Sequence, residues 1–183
     1  LADLDTFNAD LNGLAIGFGV EILVGHMIGA GNLHGANRLV KRALAWGLLV
    51  TVAVAGSFAI FAKPLFSLYT QDPELLKLGA TLLAMTVILE PGRTFNLVVI
   101  NALRATGDAR YPVMAGAASM VLVLGGASWL LGVYFGLGLV GVFLAYTLDE
   151  WIRGLLMWRR WVRLDWLPYA RASHRRLRQG RAH

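Results

Sequence analysis

The chain has 183 residues, of which 57% are hydrophobic and only 15% charged, and its mean hydropathy is +0.59. This composition argues against a soluble globular domain and predicts an all-α, polytopic helical membrane protein. The absence of cysteine excludes disulfides and thiolate metal sites. The net charge of +6 fits anionic lipid better than nucleic acid, because most arginines lie between or after the apolar runs.

Five apolar stretches are long enough to cross a hydrocarbon core about 30 Å thick, which takes roughly 20 helical residues. We predict five transmembrane helices, in chain order, over residues 9–28, 43–62, 78–103, 111–135 and 139–158. The third is preceded by Asp72 and Pro73, a typical helix start. The fourth and fifth are joined by Gly136-Leu-Gly-Leu-Val-Gly141, which matches a dinucleotide-binding pattern. Because an apolar helix rather than a strand precedes it, we interpret it as a turn and expect no organic cofactor.

Lysine and arginine are distributed unequally between the two sides of these spans. Thirteen of the 17 follow the first, third or fifth span, whereas only Lys63 and Lys77 lie on the opposite side. Under the positive-inside rule the thirteen mark the cytoplasm, which predicts a multi-pass plasma (inner) membrane protein with a cytoplasmic C-terminus. Residues 1–166 are then the transmembrane part. Residues 167–183 are a basic cytoplasmic tail. Within it, residues 171–183 have almost no apolar residue, so we expect them to form no packed element alone and to be held loosely by anionic lipid.

Six charged side chains lie within the predicted spans and away from the span ends, where a charge costs at least about 2.5 kcal/mol unless it is paired or hydrated. They are Glu21, Glu90, Arg93, Asp149, Glu150 and Arg153. Arg93 shares a helix face with Glu90, and Asn96 lies one turn further along. Either of the two carboxylates of the fifth span could pair with Arg153. Pro91 removes a backbone donor and predicts a bend in the third span.

These four carboxylates face two arginines, so two carboxylates lack a cation. A buried carboxylate in that position should bind a proton or a cation such as Na⁺. Ion pairs that only neutralise one another remain the alternative for each residue. His26 and His34 have no partners at metal-ligand spacing, and we interpret them as interfacial side chains.

Four short strings occur in the order Val24-Gly-His-Met-Ile-Gly-Ala-Gly31, Tyr69-Thr-Gln-Asp-Pro-Glu74, Leu103-Arg-Ala-Thr-Gly-Asp108 and Asp149-Glu-Trp-Ile-Arg-Gly154. Together they resemble the multidrug and toxic compound extrusion (MATE) family over about residues 10–166. The resemblance implies a twelve-helix exporter of two six-helix lobes, related as repeats. It implies that entry of Na⁺ or H⁺ drives export of small organic cations by alternating access.

Within that family the chain would supply the last five helices of the C-terminal lobe, without the N-terminal lobe and the first helix of its own lobe as partners. The absence of an initiating Met also leads us to expect a fragment. Some family members have a cation-binding aspartate in the third of these spans, where this chain has Arg93. The resemblance therefore does not carry that Na⁺ site over to this chain.

We accordingly expect a non-enzymatic antiporter in which Glu90 and either Asp149 or Glu150 carry the coupling ion, with Glu90 or Asp149 as the candidate Na⁺ ligand. A lipid-linked oligosaccharide flippase of the same superfamily is the alternative and would need a cationic cavity. A membrane-embedded hydrolase or transferase would need a nucleophile with a base, or a metal cluster, and the spans offer neither. We also predict that the 183 residues expressed alone are unstable or inactive, because polar helix faces would meet lipid.

Overall fold

The computed structural model describes residues 17–68 and 70–180, and these residues form helices joined by short turns. The helices are α1 (Gly17–Gly29), α2 (Leu33–Ile60), α3 (Ala62–Ser67), α4 (Pro73–Ala105), α5 (Arg110–Tyr134), α6 (Gly138–Val162) and α7 (Leu167–Gly180). Residues 9–16 of the predicted first span and residues 181–183 of the predicted tail lie outside the described residues. In the part of the chain that is described there is no strand, as the all-α prediction requires.

Three helices meet the length and hydropathy expected of a membrane span. They have 28, 33 and 25 residues and correspond to the second, third and fourth predicted spans: α2, α4 and α5. At about 1.5 Å per residue, the shortest of them is roughly 37 Å long and exceeds the hydrocarbon thickness. Helix α6 also has 25 residues but carries charged residues near its middle. The chain is therefore a helical membrane protein.

Helix α2 begins at Leu33, ten residues before the predicted start of the second span at Ala43. Asn32 caps this helix, and its side-chain oxygen accepts a hydrogen bond from the Gly35 amide at 2.9 Å. Lysine and arginine are good helix formers whose long stems can carry the charge away from an apolar surface. Three basic residues predicted to lie in a loop are consequently in the first turns of a helix: Arg38, Lys41 and Arg42.

The prediction that residues 171–183 form no packed element was wrong for residues 171–180, which belong to helix α7. Ala170 on this helix and Trp166 just before it are both buried. The Trp166 ring stacks on Trp161 of α6 with 4.5 Å between the ring centroids. Burial of Ala170, together with Trp166 just before the helix, docks α7 onto the bundle although most residues of α7 are polar.

Helix α4 is the centre of the bundle, with α2 packed antiparallel on one side and α6 packed parallel on the other. The core between them is apolar and includes α4 side chains such as Val98 and Val99, which are fully buried. Helix α5 packs antiparallel against α6. This arrangement places the middle of α6 beside the middle of α4.

The segments rich in basic residues meet at one end of the bundle, where α1, α4 and α6 end and α2 and α5 begin. We call this the basic end. Trp161 of α6 donates a hydrogen bond to the Asn37 side chain of α2 at 3.0 Å. The Arg160 guanidinium lies 2.5 Å from the Asp108 carboxylate in the turn between α4 and α5. These contacts confirm that the basic segments after the first, third and fifth predicted spans share one side.

The turn between α5 and α6 confirms the interpretation of the glycine-rich string. Gly136 and Gly138 have positive φ angles of 66° and 55°, a conformation that disfavours side chains. The element before the turn is helical, so the string joins two helices. A Cβ atom on Gly141 would lie 2.6 Å from the backbone of Leu131 in α5, so α5 and α6 approach closely at this end.

We predict that Gly141→Ala destabilises the pair formed by α5 and α6. The added methyl group overlaps backbone that cannot move aside, and such overpacking typically lowers the free energy of unfolding by about 1–3 kcal/mol. Gly126→Ala is the control, because a Cβ there meets no described atom within 4 Å and alanine favours helix. Thermal unfolding in detergent micelles measures both variants. Equal stability of the two would contradict the close approach at Gly141.

Candidate functional site

Ionisable side chains of α4 and α6 meet at the middle of the bundle. On α4, the Arg93 guanidinium lies 3.2 Å from the Glu90 carboxylate. Arg93 also donates a hydrogen bond to the Tyr146 hydroxyl of α6, and its guanidinium lies 5.3 Å from the centre of that ring. Glu90 is about 25 Å along α4 from its first residue, close to the midpoint of this helix. The predicted pair of Glu90 and Arg93 therefore forms and is joined to α6.

The second half of the site lies one turn further along α6. One Arg153 nitrogen, Nη2, is 2.6 Å from Asp149 Oδ2 and 2.9 Å from Glu150 Oε1. Asn96 of α4 donates a hydrogen bond from Nδ2 to the other Glu150 oxygen at 2.8 Å. Ser119 of α5 donates to Asp149 Oδ1 at 2.5 Å. Three helices thus hold two adjacent carboxylates around a single guanidinium.

We call these residues the polar cluster; its members are Glu90, Arg93, Asn96, Ser119, Tyr146, Asp149, Glu150 and Arg153. Its three carboxylates are almost completely withdrawn from the surface, with residue exposures of 3%, 0% and 5% for Glu90, Asp149 and Glu150. The two arginine side chains keep 17% and 20% exposure. With every group ionised, the polar cluster has one more negative charge than positive charges.

Two polar atoms of the cluster are buried without a hydrogen-bond partner among residues 17–68 and 70–180: Asn96 Oδ1 and Arg153 Nε. Asp149 Oδ2 lies close to Arg153 but at an angle that does not make a hydrogen bond. Asp149 and Arg153 still form an ion pair, because the attraction between two charges depends on their distance far more than on the angle between the groups. The polar cluster therefore keeps unused hydrogen-bonding capacity beside its surplus carboxylate.

Glu21 was predicted to belong with these groups, but the structure does not join it to them. It lies on α1, is partly buried, and makes no ion pair within the described part of the chain. Helix α1 packs near the C-terminal part of α4, where a Cβ atom on Gly17 would lie 2.4 Å from the Asn101 side chain. Among the described residues, the surplus negative charge at the middle of the bundle is therefore that of the polar cluster.

Pro91 lies within α4, and the helix continues through it. Proline cannot donate to the carbonyl of the preceding turn, and next to that point the Trp151 indole of α6 donates to the Ile88 carbonyl at 2.9 Å. Gly92 makes room for the indole, since a Cβ there would lie 2.6 Å from Nε1. Helix α6 thus supports α4 at its proline turn. The bend itself stays a prediction.

Ser119 and Tyr146 are functional candidates that the sequence did not reveal. A serine or threonine hydroxyl in an apolar helix gives no distinct signal, because it commonly bonds to its own helix; the Thr51 hydroxyl, for example, donates to the Gly47 carbonyl at 2.7 Å. Their roles become visible only when α5 and α6 are placed beside one another. His26 and His34 are exposed, and the described residues contain no group of three or more His, Cys, Asp or Glu arranged for a metal ion.

Comparison with known proteins relates this architecture to one family. The family model described as MatE matches residues 11–130. The chain belongs to the MatE family. This membership confirms the resemblance to the MATE family.

Curated MatE relatives match this chain over only part of their own length. It is 41% identical over 157 residues to the uncharacterized transporter YisQ of Bacillus subtilis, which covers 86% of the chain and 34% of YisQ. It is 28% identical over 152 residues to a probable multidrug resistance protein NorM of Idiomarina loihiensis, covering 74% and 33%. No solved structure matches the chain. The chain spans about a third of the length of these relatives.

Proposed function

We propose that the protein containing this chain is an ion-coupled antiporter that exports small organic cations by alternating access. The observation that supports it is the surplus carboxylate of the polar cluster, where Asp149 and Glu150 share one guanidinium. The MatE membership and the names of the relatives, which include transporters and multidrug resistance proteins, agree with transport. The basic end is then cytoplasmic by the positive-inside rule.

The surplus charge gives the coupling ion its binding energy. An unneutralised carboxylate at the middle of a membrane bundle is strongly disfavoured, so the polar cluster takes up either a proton or a small cation such as Na⁺. Asn96 and Ser119 orient Glu150 and Asp149 for that ion. Because the carboxylates lie next to one another, the ion neutralises the whole group rather than one isolated side chain.

Exchange follows from competition for that negative charge. A cationic substrate and the coupling ion are attracted to the same carboxylates, and neither is held stably when the other is bound. Alternating access then exposes the polar cluster to one side of the membrane at a time. Entry of the ion from outside displaces the substrate, and release of the ion inside makes the site acidic again for the next cation.

The flippase alternative requires free cationic groups for a pyrophosphate. In this structure Arg93 and Arg153 each contact carboxylates, and the cluster as a whole is acidic. That arrangement supports binding of a cation over binding of a lipid-linked phosphate. An enzymatic role would require a different chemistry, and neither MatE membership nor the transporter names among the relatives supports one.

Neutralising one carboxylate of the polar cluster tests this proposal. Glu90→Gln or Asp149→Asn leaves the cluster with no surplus charge, so full-length protein in proteoliposomes should lose the dependence of cation export on an imposed pH or Na⁺ gradient. Export by either variant should fall to the rate measured without a gradient. The control is Glu21→Gln, which removes a carboxylate of another predicted span that is not part of the cluster.

The pattern across these variants decides the assignment. Gradient-driven export that persists in both Glu90→Gln and Asp149→Asn would refute the polar cluster as the coupling site. Loss of coupling in Glu21→Gln alone would move the site to α1. Measuring export separately under a pH gradient and under a Na⁺ gradient identifies the coupling ion.

A further inference from the structure

Helix α7 lies across the basic end and contacts two of its turns. His174 Nδ1 is 3.2 Å from the Ile28 carbonyl and 3.0 Å from the Gly29 carbonyl at the end of α1. Ser173 donates a hydrogen bond to the Thr106 carbonyl at the end of α4, at 3.2 Å. These contacts hold α7 against the bundle and fix the direction in which its basic side chains point.

A cavity of about 260 Å³ lies between α7 and the turn that joins α1 to α2. Its walls combine the apolar and backbone surface of that turn with one face of α7: Gly31, Leu33, Ala170, Arg171, His174 and Arg175. The three basic residues are spaced by three and four positions, so they share a helix face. Because Nδ1 of His174 contacts the α1 carbonyls, Nε2 is the ring nitrogen that remains for another partner.

The electrostatics of the cavity favour an anion. Arg171 and Arg175 are exposed, and neither makes an ion pair with a described residue. Residues 167–180 include no Asp or Glu. Leu33 is the first residue of α2, so the positive end of that helix dipole also faces the cavity. Two guanidiniums on one wall, neither of them in an ion pair with a described residue, are suited to bind phosphate oxygens.

Exposed apolar side chains also lie at the basic end of the bundle. Val162 at the end of α6 is 55% exposed, and Tyr169 on α7 is 42% exposed. In a helical membrane protein such apolar side chains contact acyl chains, and a basic helix beside them lies at the level of the headgroups. A ligand that joins a phosphate to acyl chains can contact both the cavity arginines and the exposed apolar side chains, whereas free phosphate can contact only the arginines.

We propose that this cavity binds the headgroup of an anionic phospholipid, with Arg171 and Arg175 on its phosphate and His174 beside them. The bound lipid ties α7 to the turn between α1 and α2. This site differs from the polar cluster in place and in charge, and it does not depend on the ion-coupled mechanism.

Lipid titration of the purified full-length protein tests the proposal. The protein in neutral detergent is titrated with phosphatidylglycerol, with phosphatidylcholine of the same acyl chains, and with inorganic phosphate, and binding is followed by native mass spectrometry. The double variant Arg171→Ala/Arg175→Ala removes both cavity arginines. At about 1 kcal/mol for each basic residue near a lipid headgroup, it should bind phosphatidylglycerol about 30-fold more weakly.

The matched control is Arg159→Ala/Arg163→Ala, which removes two exposed arginines of the same end that do not line the cavity. This control should bind phosphatidylglycerol as the parent does, and phosphatidylcholine should bind weakly to all three proteins. Equal weakening in the two double variants would mean general attraction to a basic surface and would overturn the cavity. Binding of inorganic phosphate as tight as that of phosphatidylglycerol would overturn the lipid assignment.

Discussion

Arg153→Met is expected to lower the free energy of unfolding by about 3–5 kcal/mol, the range found when one partner of a buried ion pair is removed. The Asp149 and Glu150 carboxylates both depend on this guanidinium, at 2.6 and 2.9 Å. Asp149 has no exposed surface, so water cannot replace the lost charge without opening the bundle. Methionine fills similar volume and limits the packing loss. Titration with sodium dodecyl sulfate in mixed micelles of the full-length protein measures the change.

Arg159→Met is the matched control for this prediction. Arg159 lies on the same helix but is exposed and makes no ion pair in the described structure, so its loss should change stability by at most about 0.5 kcal/mol. Adding Asp149→Asn to Arg153→Met should restore part of the loss, because the two residues interact directly. Additive effects of the two substitutions would show that this contact contributes no stability.

Arg160→Met is expected to have the second largest effect, about 3 kcal/mol. It leaves the Asp108 carboxylate, which is 1% exposed, without the guanidinium that lies 2.5 Å away. The same guanidinium lies over the Tyr111 ring, 4.2 Å from the ring centroid, a cation–π contact worth roughly 1 kcal/mol. The turn between α4 and α5 should therefore loosen from α6. Hydrogen exchange at the Asp108 amide reports that opening directly.

Two comparisons test the role of this ion pair. Arg163→Met removes an exposed charge three residues further along and should leave both stability and exchange near the parent values. Asp108→Asn combined with Arg160→Met should be more stable than Arg160→Met alone, since the unpaired charge is gone. Faster exchange throughout the bundle, rather than at the turn, would indicate global unfolding and contradict a local tie.

The contacts within the polar cluster that follow from the sequence are those between residues of the same helix. The pairs Glu90 with Arg93 and Asp149 or Glu150 with Arg153 follow from helical spacing, and the structure contains all of these contacts. Helical spacing did not decide whether Arg153 pairs with Asp149 or with Glu150, and in the structure it contacts both. Glu21 was predicted to be a site residue because it lies in an apolar stretch, but a count of such charges does not show where each side chain lies in the bundle.

The sequence by itself determined the helical membrane class, three of the spans, the gathering of basic segments at one end, and the ion pairs within single helices. Each of these depends on composition or on residues at most four positions apart, where helix geometry alone sets the distance. Only the tertiary structure decided that Ser119 meets Asp149 and that Asn96 meets Glu150, 30 and 54 positions apart. It also decided that a basic tail packs as α7. Such contacts depend on which helix faces meet, and many arrangements of apolar helices satisfy the same hydropathy pattern.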